Sequence, residues 1–173
     1  YDPATNKMYI VGNTGLGADE TRHMYSIPVD TNNPNGWAGA LPANNGPAPA
    51  GAPKWSDDGA VLSGGRENQL VHLQGGSFML TGGDNLGSIQ ATTAATPGGL
   101  VNQTQGIEVV PNDPVRGISQ PYGPTIVKDE YDPVTHQDTV TMRISQFAPP
   151  GSPEGTYDPQ LFTTQFTVSQ PAP

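Results

Sequence analysis

Apolar and polar positions alternate with period two in short runs, and the runs are separated by Gly, Pro, Asn and Asp clusters. Gln69-Leu-Val-His-Leu73 predicts a strand, Gln74-Gly-Gly-Ser77 a two-residue hairpin turn, and Phe78-Met-Leu-Thr81 the returning strand. After the bend at 82–87, Ser88 to Thr93 places Ile89, Ala91 and Thr93 on one face and Gln90 and Thr92 on the other. The loop Ala94 to Gly99 leads to a short strand at Ile107-Glu-Val-Val110. Residues 66–110 are therefore expected to form one antiparallel sheet of four strands, the size and order of a propeller blade.

The rest of the chain repeats the theme. Lys7 to Val11 and Arg22 to Ile27 predict a pair of strands, the second ended by Pro28. Trp37 follows a turn cluster and is expected to anchor a sheet face. Residues 39–54, rich in Ala, Pro, Gly and Asn without period, predict an exposed loop. Pro111 to Pro124 is loop-like, Thr125 opens a strand, and clean alternation returns at Thr139 to Phe147 and Leu161 to Val168. Tyr1-Asp-Pro-Ala-Thr-Asn6 is echoed by Tyr131-Asp-Pro-Val-Thr-His136 and, in shorter form, by Tyr157-Asp-Pro159, each ahead of a strand. No segment carries a helical period. The expectation is an all-β chain of antiparallel four-stranded blade-like sheets. It forms a single domain over 1–173 or the C-terminal portion of a larger propeller, with strand clusters at about 1–38, 55–110 and 111–173. A β-sandwich of the same strands is the alternative packing.

Composition narrows the partners. Of 173 residues, 7 are Lys or Arg and 16 are Asp or Glu, a formal charge of -9, which disfavours nucleic acid and anionic membrane. Cysteine is absent, so thiolate metal sites and disulfides are excluded. No run of about 18 apolar residues exists to span a membrane. The Thr, Asn, Gln, Gly and Pro content with little Lys suits an extracellular or cell-surface protein, and a start at Tyr1 suits a processed or truncated product.

Several stretches resemble the secreted five-bladed β-propellers of actinobacteria, a family that includes endo-D-arabinanases acting on cell-wall arabinan. These are Met8-Tyr-Ile-Val-Gly12 with Met24-Tyr-Ser-Ile-Pro-Val-Asp30, Gly65-Arg-Glu-Asn68, Ile89-Gln-Ala-Thr-Thr-Ala-Ala-Thr-Pro-Gly98, and Tyr122-Gly-Pro124 with Ile144-Ser-Gln-Phe147. Such a ring needs roughly twice this length. The resemblance thus implies a partial propeller of about three C-terminal blades, completed by an N-terminal half, a partner chain or copies of itself. It also implies a polysaccharide ligand and chemistry of the glycoside-hydrolase kind. The alternative function is a non-catalytic extracellular assembly subunit, a fibre or particle component whose sheet edges pair with copies of itself.

Glycoside hydrolysis needs two carboxyls facing across the bond. Glu67, beside Arg66 where the central unit begins, is the best catalytic candidate; the simpler role is an Arg–Glu pair closing the blade. Asp84 is a candidate for the same cleft or for plain turn chemistry. Tyr122, between Pro121 and Gly123, has the rigidity to stack on a sugar ring or to pack between blades, and Arg116 is a candidate donor nearby or a solvated loop charge. The adjacent acids Asp57-Asp58 and Asp129-Glu130 are expected to be solvated turn residues. His23, His72 and His136 share no metal-binding spacing, and His72 is expected to be half-buried in its strand. Asp30, Asn32 and Asn35 form a weak calcium candidate, its Gly36 one place late for an EF-hand loop. No other cofactor is implied.

Overall fold

The structure, a computed structural model, describes residues 1–13, 21–30, 32, 54–64, 67–83, 87–153 and 155–170. The expected anchor Trp37, most of the expected loop at 39–54, and the candidates Arg66, Asp84 and Asn35 lie outside them. The described chain is all-β, with antiparallel sheets of three and four strands and none closed into a barrel. The first sheet is β1 (Lys7–Asn13), β2 (Arg22–Pro28) and β3 (Ser56–Ala60). The middle sheet is β4 (Asn68–His72), β5 (Phe78–Gly83), β6 (Ile89–Ala94) and β7 (Ile107–Val110), and the third is β8 (Pro121–Asp132), β9 (Gln137–Gln146) and β10 (Gln160–Ser169). In each sheet neighbours in sequence are neighbours in space.

The four strands expected between 66 and 110 do form one sheet, with Leu70 opposite Leu80 and Leu80 opposite Thr92. Two expectations need correction. Ser56–Ala60, grouped by sequence with the middle unit, pairs with β2. Pro121–Pro124 belongs to a strand rather than a loop. Proline lacks an N–H and is tolerated there because β8 is an edge strand, with its register against β9 broken between Tyr122 and Thr125.

The middle sheet is packed on both faces at its centre. Every residue of β5 is buried. Phe78 and Leu80 pack with Met24, Val61, Leu62 and Leu100 toward the first sheet. Met79 and Ala91 pack with Val140, and Ile89 and Val110 with Met142 and Ile144, toward the third. Leu100 reaches this core because Thr96 caps a short 3-10 helix, Pro97–Leu100, inside the expected loop.

The echoed turn is a real structural repeat. Asp2 accepts from Ala4 N at 3.0 Å and from Thr5 Oγ1 at 2.6 Å, while Asp132 accepts from Val134 N at 2.8 Å and Thr135 Oγ1 at 2.9 Å. The sixth residue is left-handed in both, Asn6 at φ 51° and His136 at φ 53°, and each is bound to the Tyr hydroxyl of its own turn. The third copy departs from this, because Tyr157 turns its hydroxyl to Tyr122 instead.

At one end of the sheets Arg22, fully buried and in phase with Met24, spans from the first sheet to the middle one. Its Nη1 donates to the carbonyls of Leu62 and Ser63, both at 3.2 Å, and its Nη2 to those of Glu67 at 3.2 Å and Gly83 at 3.1 Å. The guanidinium lies against β5, where a Cβ on Gly82 would meet Nη1 and stand 2.7 Å from Cζ. A group held by four carbonyls cannot swing aside, so Gly82→Ala is expected to cost about 1–3 kcal/mol of unfolding free energy, the usual range for overpacking. Urea titration measures it; a midpoint equal to wild type would show that the guanidinium is not fixed.

Candidate functional site

β4 and β8 run side by side in the same direction. Gln69 Oε1 accepts from Ile126 N at 2.5 Å, and further along Gln74 N donates to Asp129 Oδ2 at 2.6 Å. This alignment carries Glu67, just ahead of β4, to the end of the molecule where Tyr122 opens β8. The Tyr122 phenol is held above its ordinary value, first by its bond to Tyr157, then by burial, with the Glu67 carboxylate adding to the shift. The two sequence candidates thus lie at the same end of the molecule, within electrostatic reach of each other.

Tyr122 does not stand alone. Its hydroxyl lies 3.2 Å from that of Tyr157, whose ring packs on Phe147 with centroids 4.9 Å apart and planes tilted by 58°. A hollow of about 340 Å³ opens beside this trio, walled by Phe147, Gln120, Pro149, Ser152 and Thr156. Its frame is fixed: buried Gln146 accepts from Ser119 N at 3.1 Å and donates to Gln160 at 2.9 Å, and Asp158 N donates to Phe147 O at 3.1 Å. Tyr157 remains 61% exposed, so its ring presents a face to solvent. Aromatic faces beside polar backbone and a carboxylate are the surface on which a sugar ring stacks and forms hydrogen bonds.

The other candidates fall elsewhere. Arg116 forms a local ion pair with Asp113 at 3.4 Å within the short 3-10 helix Pro114–Arg116, and at 81% side-chain exposure such a pair contributes little. Asp30 accepts from Asn32 N at 2.8 Å in an ordinary Asx turn, and both residues are exposed. Among the described residues no group of three or more His, Asp or Glu is placed to hold a metal ion. His72 is exposed rather than half-buried; it stacks on Phe78 at 4.2 Å and lies 3.2 Å from the Gly76 carbonyl. His23 bonds Asp57 at 2.8 Å across the first sheet, so Asp57 is a strand residue and not a turn acid.

The acid pair that does form was not foreseen. Asp129, expected in a solvated turn, sits in β8 and faces Asp138 of β9; the pair lies at the end opposite the aromatic trio. Both accept from the 74–77 turn of the middle sheet: Gln74 N binds Asp129, and Gly75 N binds Asp138 Oδ1 at 2.9 Å. Gln170 links Asp138 to Ser77 through its side-chain amide. A Cβ on Gly75 would strike this cluster, 2.5 Å from Gln170 Cγ and 2.7 Å from Tyr131 Cδ2. Glu130, by contrast, is a solvated surface partner of Lys128 at 2.8 Å.

Comparison of the chain with protein-family models, with curated proteins and with solved structures gives no match. The functional reading therefore rests on this geometry.

Burial raises the Asp129 carboxyl above its ordinary value; the Gln74 amide works against the shift, and the Asp138 charge and a shared bond with Asp138 add to it. The folded state thus favours the protonated form. Its contribution to stability is complete below the unfolded value of 3.8 and is lost as pH rises through the raised folded value. Asp129→Asn, neutral at every pH, is expected to melt above wild type at pH 7, with the difference shrinking toward pH 4. Thermal melts across that range check it, and a pH-independent difference would remove the shared proton.

Proposed function

We propose that this chain is the blade-forming, carbohydrate-binding part of an exported β-propeller of the glycoside-hydrolase kind. Its ligand is a cell-wall polysaccharide such as arabinan, met outside the cell or at its surface. The glycan lies across Tyr157 and Tyr122 with the Glu67 carboxylate at its edge. The observation that carries this reading is the Tyr122–Tyr157–Phe147 trio beside a framed hollow, at the end of the molecule where the Glu67 charge is felt by Tyr122.

The architecture supports the propeller. Each sheet is a meander, the sheets stack through apolar faces, and the strands that open them lie close to one another, β1 against β4 and β8 against both β4 and β5. Blades arranged about an axis place their innermost strands in this way. The reading commits to binding before catalysis. The close carboxyl pair, Asp129 with Asp138, is at the far end of the sheets, and Asp138 is fully buried beneath the 74–77 turn, where no sugar reaches it.

Affinity electrophoresis against soluble arabinan and related neutral polysaccharides tests the proposal. Wild type is expected to be retarded. Tyr122→Ala should weaken binding roughly tenfold, the loss of about 1.4 kcal/mol from one stacking face. Glu67→Gln should bind within about twofold of wild type, since the amide keeps the shape and the hydrogen-bonding edge. A chain that migrates freely through every polysaccharide tried overturns the reading.

A further inference from the structure

The outer edge of the third sheet differs from the other sheet edges. β3 has five residues, carries Asp57 and Asp58, and is kinked at left-handed Gly59. β7 has four residues, includes Glu108, and shifts register against β6. β8 carries Lys128, Asp129 and Glu130 and breaks register twice, while β1 begins at Lys7 and packs against β4. Charge, shortness and irregularity are the devices that keep an edge from pairing. β10, Gln160-Leu-Phe-Thr-Thr-Gln-Phe-Thr-Val-Ser169, has none of them. It holds ten residues without a charge or a proline, in unbroken register with β9, and its other edge pairs with no described strand.

The strand is also complementary to itself. Phe162 and Phe166 lie two residues to either side of Thr164, all three on the half-buried inner face. A two-fold axis through Thr164 sets Phe162 of one copy opposite Phe166 of the other, twice. On the outer face it sets Thr163 opposite Gln165 and Leu161, 69% exposed, opposite Thr167. No charge opposes another. Beyond β10 the inner face overlooks a groove of about 780 Å³, floored by Met79, Ala91 and Val109 and bordered by Ile107, which is 78% exposed. A strand added to β10 carries its own inward phenylalanines over that groove.

We propose that two copies of this chain associate through β10, antiparallel about Thr164, joining their third sheets into one continuous six-stranded sheet. The contact is isologous and closes at two copies. It is independent of the sugar-binding reading, because β10 contributes no residue to the aromatic trio.

Sedimentation velocity with paired charge variants tests it. Wild type is expected at the mass of two chains. The variant Leu161→Lys with Thr167→Lys faces like charge across the axis and should sediment as one chain, as should Leu161→Glu with Thr167→Glu. An equimolar mixture of the two should recover the two-chain mass, which also shows that both variants are folded. Hydrogen exchange supplies a second measure: β10 amides directed away from β9 should be protected in wild type and exchange freely in the Lys variant. Wild type of one-chain mass, wild type whose mass grows past two, a Lys variant that stays dimeric, or a mixture that fails to pair overturns the proposal.

Discussion

The central strand of the middle sheet, β5, is buried along its whole length, and most of the molecule follows from that. A strand buried on both sides satisfies its backbone only through the ladder, so β5 must be paired along its length and flanked by layers that supply apolar side chains. Both ends of the sheet carry polar clasps. At one, the Arg22 guanidinium gathers carbonyls from the first and middle sheets. At the other, Asp129 and Asp138 gather amides from the 74–77 turn. The two clasps are opposite in sign, cation on carbonyl and carboxylate on amide. Together they align three sheets whose apolar contacts alone would tolerate sliding.

That alignment shapes the candidate site. Glu67, just ahead of β4, and Tyr122, at the start of β8, fall at the same end of the molecule because β4 and β8 travel side by side, joined by Gln69 and Gln74. Rigid surroundings matter for a binding surface, since a ring already held in place loses little freedom when a ligand arrives. The Gln146 side chain and the Asp158 amide provide this for Phe147 and Tyr157.

Local pattern made the sheets legible and left the clasps hidden. Alternation and turn chemistry located the strands because a half-buried strand writes its period directly into residues such as Val140, Met142 and Ile144. The same period read one step earlier points Asp138 inward, and read back from Met24 it points Arg22 inward. Those two signals were present, yet a charged residue at a strand end is ordinarily solvated, and only tertiary structure shows which carbonyls or amides await it. Asp129 was misplaced for a related reason. Its neighbours Lys128 and Glu130 are a surface pair, and sequence adjacency gives no indication that alternate residues of an edge strand face a neighbouring sheet. Tyr157 was obscured by its likeness to Tyr1 and Tyr131, whose hydroxyls serve their own turns.

The repeated Tyr-Asp-Pro turn has a consequence for how the chain reaches this state. A turn that carries its own carboxylate, hydroxyl and left-handed sixth residue forms before distant contacts exist, and every sheet here is a meander of sequence neighbours. Most strand pairings are therefore local, the pairing of β2 with β3 across residues 29–55 being the exception, and local pairing of this kind has little loop-closure entropy to overcome.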